Sequence, residues 1–269
     1  MRYTRSFLKW AGSKYRCLKY LLDELPAADR LIEPFAGSGS VFINAHFSHY
    51  LLAEQNNDLV LVFQHLKNEG DSFIAYCKEF FAHSNNNAET YYKFRKQFNA
   101  SSNHRERAAL FLYLNRHGYN GLCRYNQQGI YNVPFGRYTK PYFPQIEMEY
   151  FFKKSKHAEF IESDFQKTFQ LAQKGDLIYC DPPYAPLSQE TNFTSYTVQK
   201  FGKEQQINLA HLAVHYANQG IPVVLSNHDT EFTRHLYQGA EIKTFTVRRS
   251  IHFNPLNRAA VNELIAIFR

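Results

Sequence analysis

A chain of 269 residues with 44% hydrophobic residues can bury a sizeable core, and 31 Lys and Arg against 24 Asp and Glu give it a formal charge of +7. No stretch approaches the roughly 18 apolar residues of a membrane span, and the first residues lack an apolar run of signal-peptide length, so a soluble cytoplasmic protein is expected. Cys17, Cys77, Cys123 and Cys180 show no paired spacing, and no His-Glu-x-x-His pattern occurs, which predicts buried free thiols and no metal.

The chain opens with Phe7-Leu8-Lys9-Trp10-Ala11-Gly12-Ser13-Lys14, in which Gly12 permits close backbone approach. Tyr15 to Leu25 has helical character, so a negatively charged group could lie against a helix start beside Lys14. Leu31-Ile32-Glu33 predicts a strand, Pro34 to Ser40 a turn carrying Gly37 and Gly39, and Val41 to Asn44 a helix. Tyr50 to Ala53 predicts a second strand that ends in Glu54, close to where a Rossmann-like unit sets the carboxylate for ribose hydroxyls. The turn departs from G-x-G-x-x-G and no Gly-Lys-Ser/Thr follows, which argues against a nicotinamide dehydrogenase and a phosphate-loop NTPase. S-adenosylmethionine is the cofactor most compatible with a glycine turn, a ribose acid and no phosphate loop.

Leu59 to Leu66 reads as a buried helix, and the excess charge then appears. Between Tyr91 and Pro144 lie nine Lys and Arg against one acid, Glu106, together with thirteen Phe and Tyr. Basic residues interleaved with aromatics suit phosphate contact and base stacking. Ser84 to Asn87 and Ser101 to Asn103 are loop signals, Arg107 to Leu114 a helix, and Asn115 to Lys140 an irregular hairpin turning at Asn126 to Gly129. Tyr119, Asn120, Leu122, Arg124 and Tyr138 would project from it with the chemistries of groove readout. About half of the aromatics are expected to be core.

Glu159 to Asp164 predicts a strand ending in an acid. Leu177 to Tyr184 predicts a buried strand stopped by two prolines, which cannot continue a ladder. There Asp181-Pro182-Pro183-Tyr184 offers a carboxylate, a carbonyl and a flat ring, a set suited to a planar amine, while Cys180 faces the core. Phe201 to Gln219 predicts an amphipathic helix and Val223 to Asn227 a strand; Lys243 to Ile251 and Glu263 to Phe268 predict an antiparallel pair at a sheet edge. These elements divide the chain into an α/β core, residues 1–56 and 145–269, and an insertion, residues 57–144.

Phe7-Leu8-Lys9-Trp10-Ala11-Gly12-x-Lys14, Glu33-Pro34-Phe35-x-Gly37-x-Gly39, Leu112 to Asn126 and Asp181-Pro182-Pro183-Tyr184 together resemble the Dam-type DNA adenine methyltransferases, in family order and over nearly the whole chain. The resemblance implies a Rossmann-like S-adenosylmethionine-dependent methyltransferase core with an inserted, mainly helical and β-hairpin target-recognition domain. It implies methylation of the adenine amino group within GATC; a base out of reach inside the duplex must be flipped out, and the two-fold symmetry of the site lets a monomer act on each strand in turn, so a monomer is expected. Asp181, Pro182, Pro183 and Tyr184 would be catalytic; Trp10, Ala11, Gly12, Lys14, Phe35, Gly37, Gly39, Glu54, Asp164, Phe165 and Asp181 would hold the cofactor. Lys9, Tyr119, Asn120, Leu122, Arg124, Pro134 and Tyr138 would face bases, and Arg95, Arg116, Asn126, Asn132 and Arg137 would contact phosphates or flanking positions. Glu54 stands where relatives often carry Asp, and Ser13 where many carry Gly. Two rivals remain: a catalytically silent nucleic-acid-binding module, and a methyltransferase of RNA or of protein amides, whose members tend to carry Asn in place of the motif Asp.

Overall fold

Residues 3–185, 201–248 and 260–269 are described by the computed structural model of the chain. Seven strands form one sheet: β1 (Arg30–Glu33), β2 (His49–Glu54), β3 (Ala158–Glu162), β4 (Asp176–Cys180), β5 (Val223–His228), β6 (Glu241–Arg248) and β7 (Ala260–Phe268). Their order is β3-β2-β1-β4-β5-β7-β6, with β1 to β5 parallel and β7 antiparallel to both neighbours. Every residue of β4 is buried, as the unbroken apolar run requires of a central parallel strand covered on both faces. The expected antiparallel pair is β6 and β7, and β7 is inserted between β5 and β6; residues 249–251 of the expected segment lie outside the described residues.

The helices are α1 (Leu18–Leu21), α2 (Ser40–Asn44), α3 (Asn57–Glu69), α4 (Asp71–Phe80), α5 (Ala88–Ala100), α6 (His104–His117), α7 (Gln145–Ser155), α8 (Phe165–Phe169), α9 (Lys203–Ala217) and α10 (Glu231–Leu236). The stretches that read as loops, Ser84 to Asn87 and Ser101 to Asn103, are connections between helices, and each ends in the cap of the next helix. Asn56, Asn87 and Asn103 each accept a backbone N–H three residues on, which satisfies one of the orphan donors of a first turn. The helix expected over Tyr15 to Leu25 is instead a 3-10 turn (Lys14–Arg16), the single turn α1 and a second 3-10 turn (Leu22–Glu24), held by burial of Leu18 and Leu21. Leu25 is extended, as the residue before Pro26 prefers to be.

Helix α3 touches β2 and β3 of the sheet as well as α4, α6 and α7. One apolar cluster therefore runs from Leu31 and Phe42 through Phe63 and Leu66 to Phe111 and Tyr113. A second covers the other face, where Leu209 and Ala213 of α9 meet Ile178, Cys180 and Leu225.

Candidate active site

Because β1 to β5 are parallel, their C-terminal ends share one edge. The chain leaves β1 toward β2 and β3 on one side and reaches β4 and β5 on the other, so β1 and β4 flank the switch point where open α/β sheets bind ligands. The Pro34 to Ser40 turn, Glu54, Asp164 and the Asp181 to Tyr184 motif all lie at this edge.

Around the turn after β1, Gly37 and Gly39 have φ of 48° and 69°. A Cβ on Gly37 would stand 3.1 Å from Trp10 Nε1, so the turn and the indole meet without room for a side chain. Glu54 reaches back across the gap: its carboxylate accepts from Gly37 N and from Asn56 N, each at 3.1 Å. Burial raises its pKa, against the pull of these backbone donors. Each oxygen keeps a lone pair for a further donor. Phe35, Phe165 and Phe201 form an aromatic trio with centroids 5.4 to 5.6 Å apart. Asp164 caps α8 by accepting from Lys167 N at 2.9 Å.

After β4, Asp181 Oδ1 lies 2.7 Å from Lys14 Nζ, and the same ammonium donates to Gly12 O and sits 4.5 Å over the Tyr184 ring. Lys14 is thus engaged by Asp181 and the motif tyrosine, at a 3-10 turn where a longer helix was expected. Burial raises the Asp181 pKa to about 6; Lys14 opposes this and Glu263 adds to it. Tyr184 donates to Glu263 Oε2 at 3.1 Å, and Cys17 Sγ lies 3.7 Å from the same oxygen. Burial, then Glu263, push the Cys17 thiol to about 12. Cys180 is buried in the core, as its strand position requires, and Cys77 is buried too; Cys123 departs from expectation in being half-buried, beside Asn56 Nδ2 at 3.3 Å.

The hairpin carries only two isolated bridges, Gly118 with Phe135 and Tyr125 with Tyr131. Tyr119 is 47% exposed, Asn120 is exposed with φ 53°, and Pro134 and Arg137 are exposed, the latter with φ 52°. Lys9 lies 3.9 Å over the Tyr138 ring, its pKa lowered by burial and by Arg116. Leu122 is half-buried, and its carbonyl accepts from Tyr131. Several expected contact residues spend groups inside the protein. Arg124 donates to Asn132 Oδ1 at 2.7 Å, Asn126 Oδ1 accepts from Gln128 N and Ile130 N within its own turn, Arg95 donates to Val133 O, and Arg116 donates to Tyr142 O. Arg105 and Arg107 are paired with Glu69 and Asp58 of α3. More of the block's aromatics are core than the expected half: Tyr91, Phe98, Phe111, Tyr113 and Tyr131 are fully buried, and Phe94, Tyr125, Phe135 and Phe143 pack on them.

Two features escaped the sequence. Asn115, buried in α6, accepts from Lys9 N at 2.9 Å and donates to Lys9 O and Gly121 O, clasping the first segment to the hairpin; the signal was a lone amide at the end of the run Leu110 to Leu114. Glu33, at the end of β1, is buried, and burial and then Asp181 raise its pKa to about 8.

Comparison with known proteins identifies the family. The profile of the D12 class N6 adenine-specific DNA methyltransferases matches residues 10–251. A DNA adenine methylase of Serratia marcescens is 48% identical over the full length of both chains; one of Haemophilus influenzae is 51% identical over 98% of this chain and 93% of its own, and one of Escherichia coli is 47% identical over 100% and 97%. With a profile match over most of its length and full-length relatives near half identical, this chain, whose mainly parallel seven-stranded sheet carries a glycine turn at its switch point, belongs to the D12 class of N6 adenine-specific DNA methyltransferases.

Proposed function

We propose that the chain methylates the adenine of duplex GATC, acting as a monomer with S-adenosylmethionine as methyl donor, on a base flipped out of the helix. The observation that carries the chemistry is Asp181, ion-paired to Lys14 and followed by Pro182, Pro183 and Tyr184 at the C-terminal end of β4. The donor set fits the cofactor: the Glu54 carboxylate has acceptor capacity for ribose hydroxyls, the Gly37 turn admits close approach, and Trp10, Ala11, Gly12, Phe35, Gly39, Asp164 and Phe165 supply the remaining wall. When bound, S-adenosylmethionine supplies an electrophilic methyl group. An adenine amino nitrogen is a weak nucleophile because its lone pair is delocalised into the ring. Asp181 and the Pro182 carbonyl accept its two hydrogens and so turn the lone pair out of the ring plane. Tyr184 stacks on the extruded base, whose extrusion costs a few kcal/mol. With a pKa of about 6, Asp181 is largely ionised at neutral pH and takes the proton that the methylated nitrogen sheds.

Residues 57–144 serve as the recognition segment. Lys9 and Arg124 present donors for guanine O6 and N7, Leu122 and Pro134 apolar contacts for thymine methyls, and Tyr119 a ring for the gap left by the adenine. Asn120 and Tyr138 complete the base-facing set, and Arg95, Arg116, Asn126, Asn132 and Arg137 lie toward the backbone. A two-fold symmetric site lets one monomer modify both strands in turn. The test is methylation of duplexes that differ from GATC by one base pair. Transfer confined to GATC is expected; equal rates on duplexes with the outer G·C pairs replaced would refute the target.

A further inference from the structure

The motif tyrosine is held by groups that belong to neither the motif nor the cofactor turn. Gln206 of α9 is fully buried and donates from Nε2 to Pro183 O at 2.7 Å. Asn227 of β5, also fully buried, accepts the Ala185 N–H at Oδ1 (3.1 Å) and donates to Gln206 Oε1 (3.1 Å) and Tyr237 Oη (2.9 Å). His228 Nδ1 lies 2.7 Å from Ala185 O. The peptide unit before Tyr184 is thus fixed by Gln206 and the one after it by Asn227, and the two amides are bonded to each other. A ring on a loop between two prolines and a strand edge would otherwise be free to choose its backbone angle. A buried amide also has few other partners, so the network is specified by the groups it satisfies.

We propose that Gln206 and Asn227 are positioning residues for methyl transfer, a buried amide clamp that sets the plane of Tyr184 and the Pro183 carbonyl relative to Asp181. The inference rests on the reading of Asp181 to Tyr184 as the adenine site. Neither amide touches a reacting atom, and both act through the backbone on either side of the ring.

The experiment is single-turnover methylation of duplex GATC by Gln206→Leu and Gln206→Glu, with cofactor and duplex affinities measured separately by calorimetry. Leucine keeps the helix and the volume but cannot bond the Pro183 carbonyl, and misplacing the ring by a fraction of an ångström lowers the transfer rate by roughly 10- to 100-fold. Affinities for S-adenosylmethionine and duplex stay within about twofold, because the groups that bind them are untouched. Glutamate donates to Pro183 only when protonated, and Tyr237 and His228 are the other titratable groups of the cluster. The ratio of its rate to that of the parent protein therefore falls from near parity at about pH 6 to the leucine level at about pH 9, as a buried carboxyl loses its proton. Where leucine does not fold, the glutamate profile carries the test alone. A leucine variant within twofold of the parent rate, a rate loss matched by lost cofactor or duplex affinity, or a pH-independent glutamate ratio overturns the clamp. Asp181→Ala is the reference: if it still turns over, the adenine-site reading fails; if it is inactive while Gln206→Leu is normal, only the clamp fails.

Discussion

Replacing Lys14 by methionine removes the charge 2.7 Å from Asp181 while leaving an apolar stem against the Tyr184 ring. In the native site burial raises the Asp181 pKa to about 6, and Lys14 is the first of the groups that hold it down. An opposite charge at this range lowers a carboxyl pKa by about 1–3, so Lys14→Met moves the Asp181 midpoint up to between about 7 and 9. The proposed acceptor role needs the ionised form, so rate is lost as pH falls through this midpoint. At about pH 7.5 the ionised fraction drops from nearly all to between about three quarters and a few per cent, and alkaline pH restores it. The assay is the pH profile of kcat/KM for methyl transfer to duplex DNA, which reports the free enzyme. Glu263→Gln is the opposite-sign control, because Glu263 raises the Asp181 pKa and its loss moves the acid limb down. An acid limb in Lys14→Met that stays in place or moves down would refute the coupling.

Arg137→Ala should weaken binding to every duplex and reduce the slope of log affinity against log salt by about one, as the loss of one phosphate contact requires; an unchanged slope contradicts that role. Arg124→Ala should instead cost about 1–3 kcal/mol of discrimination at one base pair, and equal loss on cognate and non-cognate duplexes excludes it as a reader. Gly121→Ala would bring a Cβ within 2.4 Å of Lys9 Cβ at a φ of 63°. It should lower stability by about 1–3 kcal/mol in a thermal melt, and an unchanged melt would show that the clasp yields. Chelators should leave the transfer rate unchanged, since no cluster of metal-ligating side chains occurs among the described residues; loss in EDTA restored by zinc or magnesium would reveal a site elsewhere in the chain.

The strands that build the ligand edge were legible because their signals are local. Leu177 to Cys180 is an apolar run ended by two prolines, and Tyr50 to Ala53 ends in an acid after a glycine turn; the structure returns both as β4 and β2. Helices α4, α5 and α7 were not read, because their polar faces, and for α5 its Asn87 cap, look like loop when no packing partner is known. The placement of β7 between β5 and β6 depends on a long-range pairing that no local pattern encodes. The site shows the same division. Asp181 and Glu54 declare themselves at strand ends, whereas Asn115, Gln206 and Asn227 gain their meaning from partners 106, 23 and 42 residues away. Arg124 and Arg95 read as open contact groups because composition cannot reveal that Asn132 and Val133 engage them.

On the proposed reading, the segment from Lys9 to Trp10 serves two sites at once. Asn115 bonds both the N–H and the carbonyl of Lys9 and ties them to Gly121 of the hairpin, and one peptide bond further on Trp10 stands against Gly37 of the cofactor turn. A movement of the hairpin that drew Lys9 would therefore be passed to Trp10. Linkage then makes the traffic two-way: the factor by which a given duplex changes the affinity for the methyl donor is the factor by which the donor changes the affinity for that duplex. On that reading, sequence choice and donor occupancy become two readings of one coupling constant, and a substitution at Asn115 is expected to alter both together.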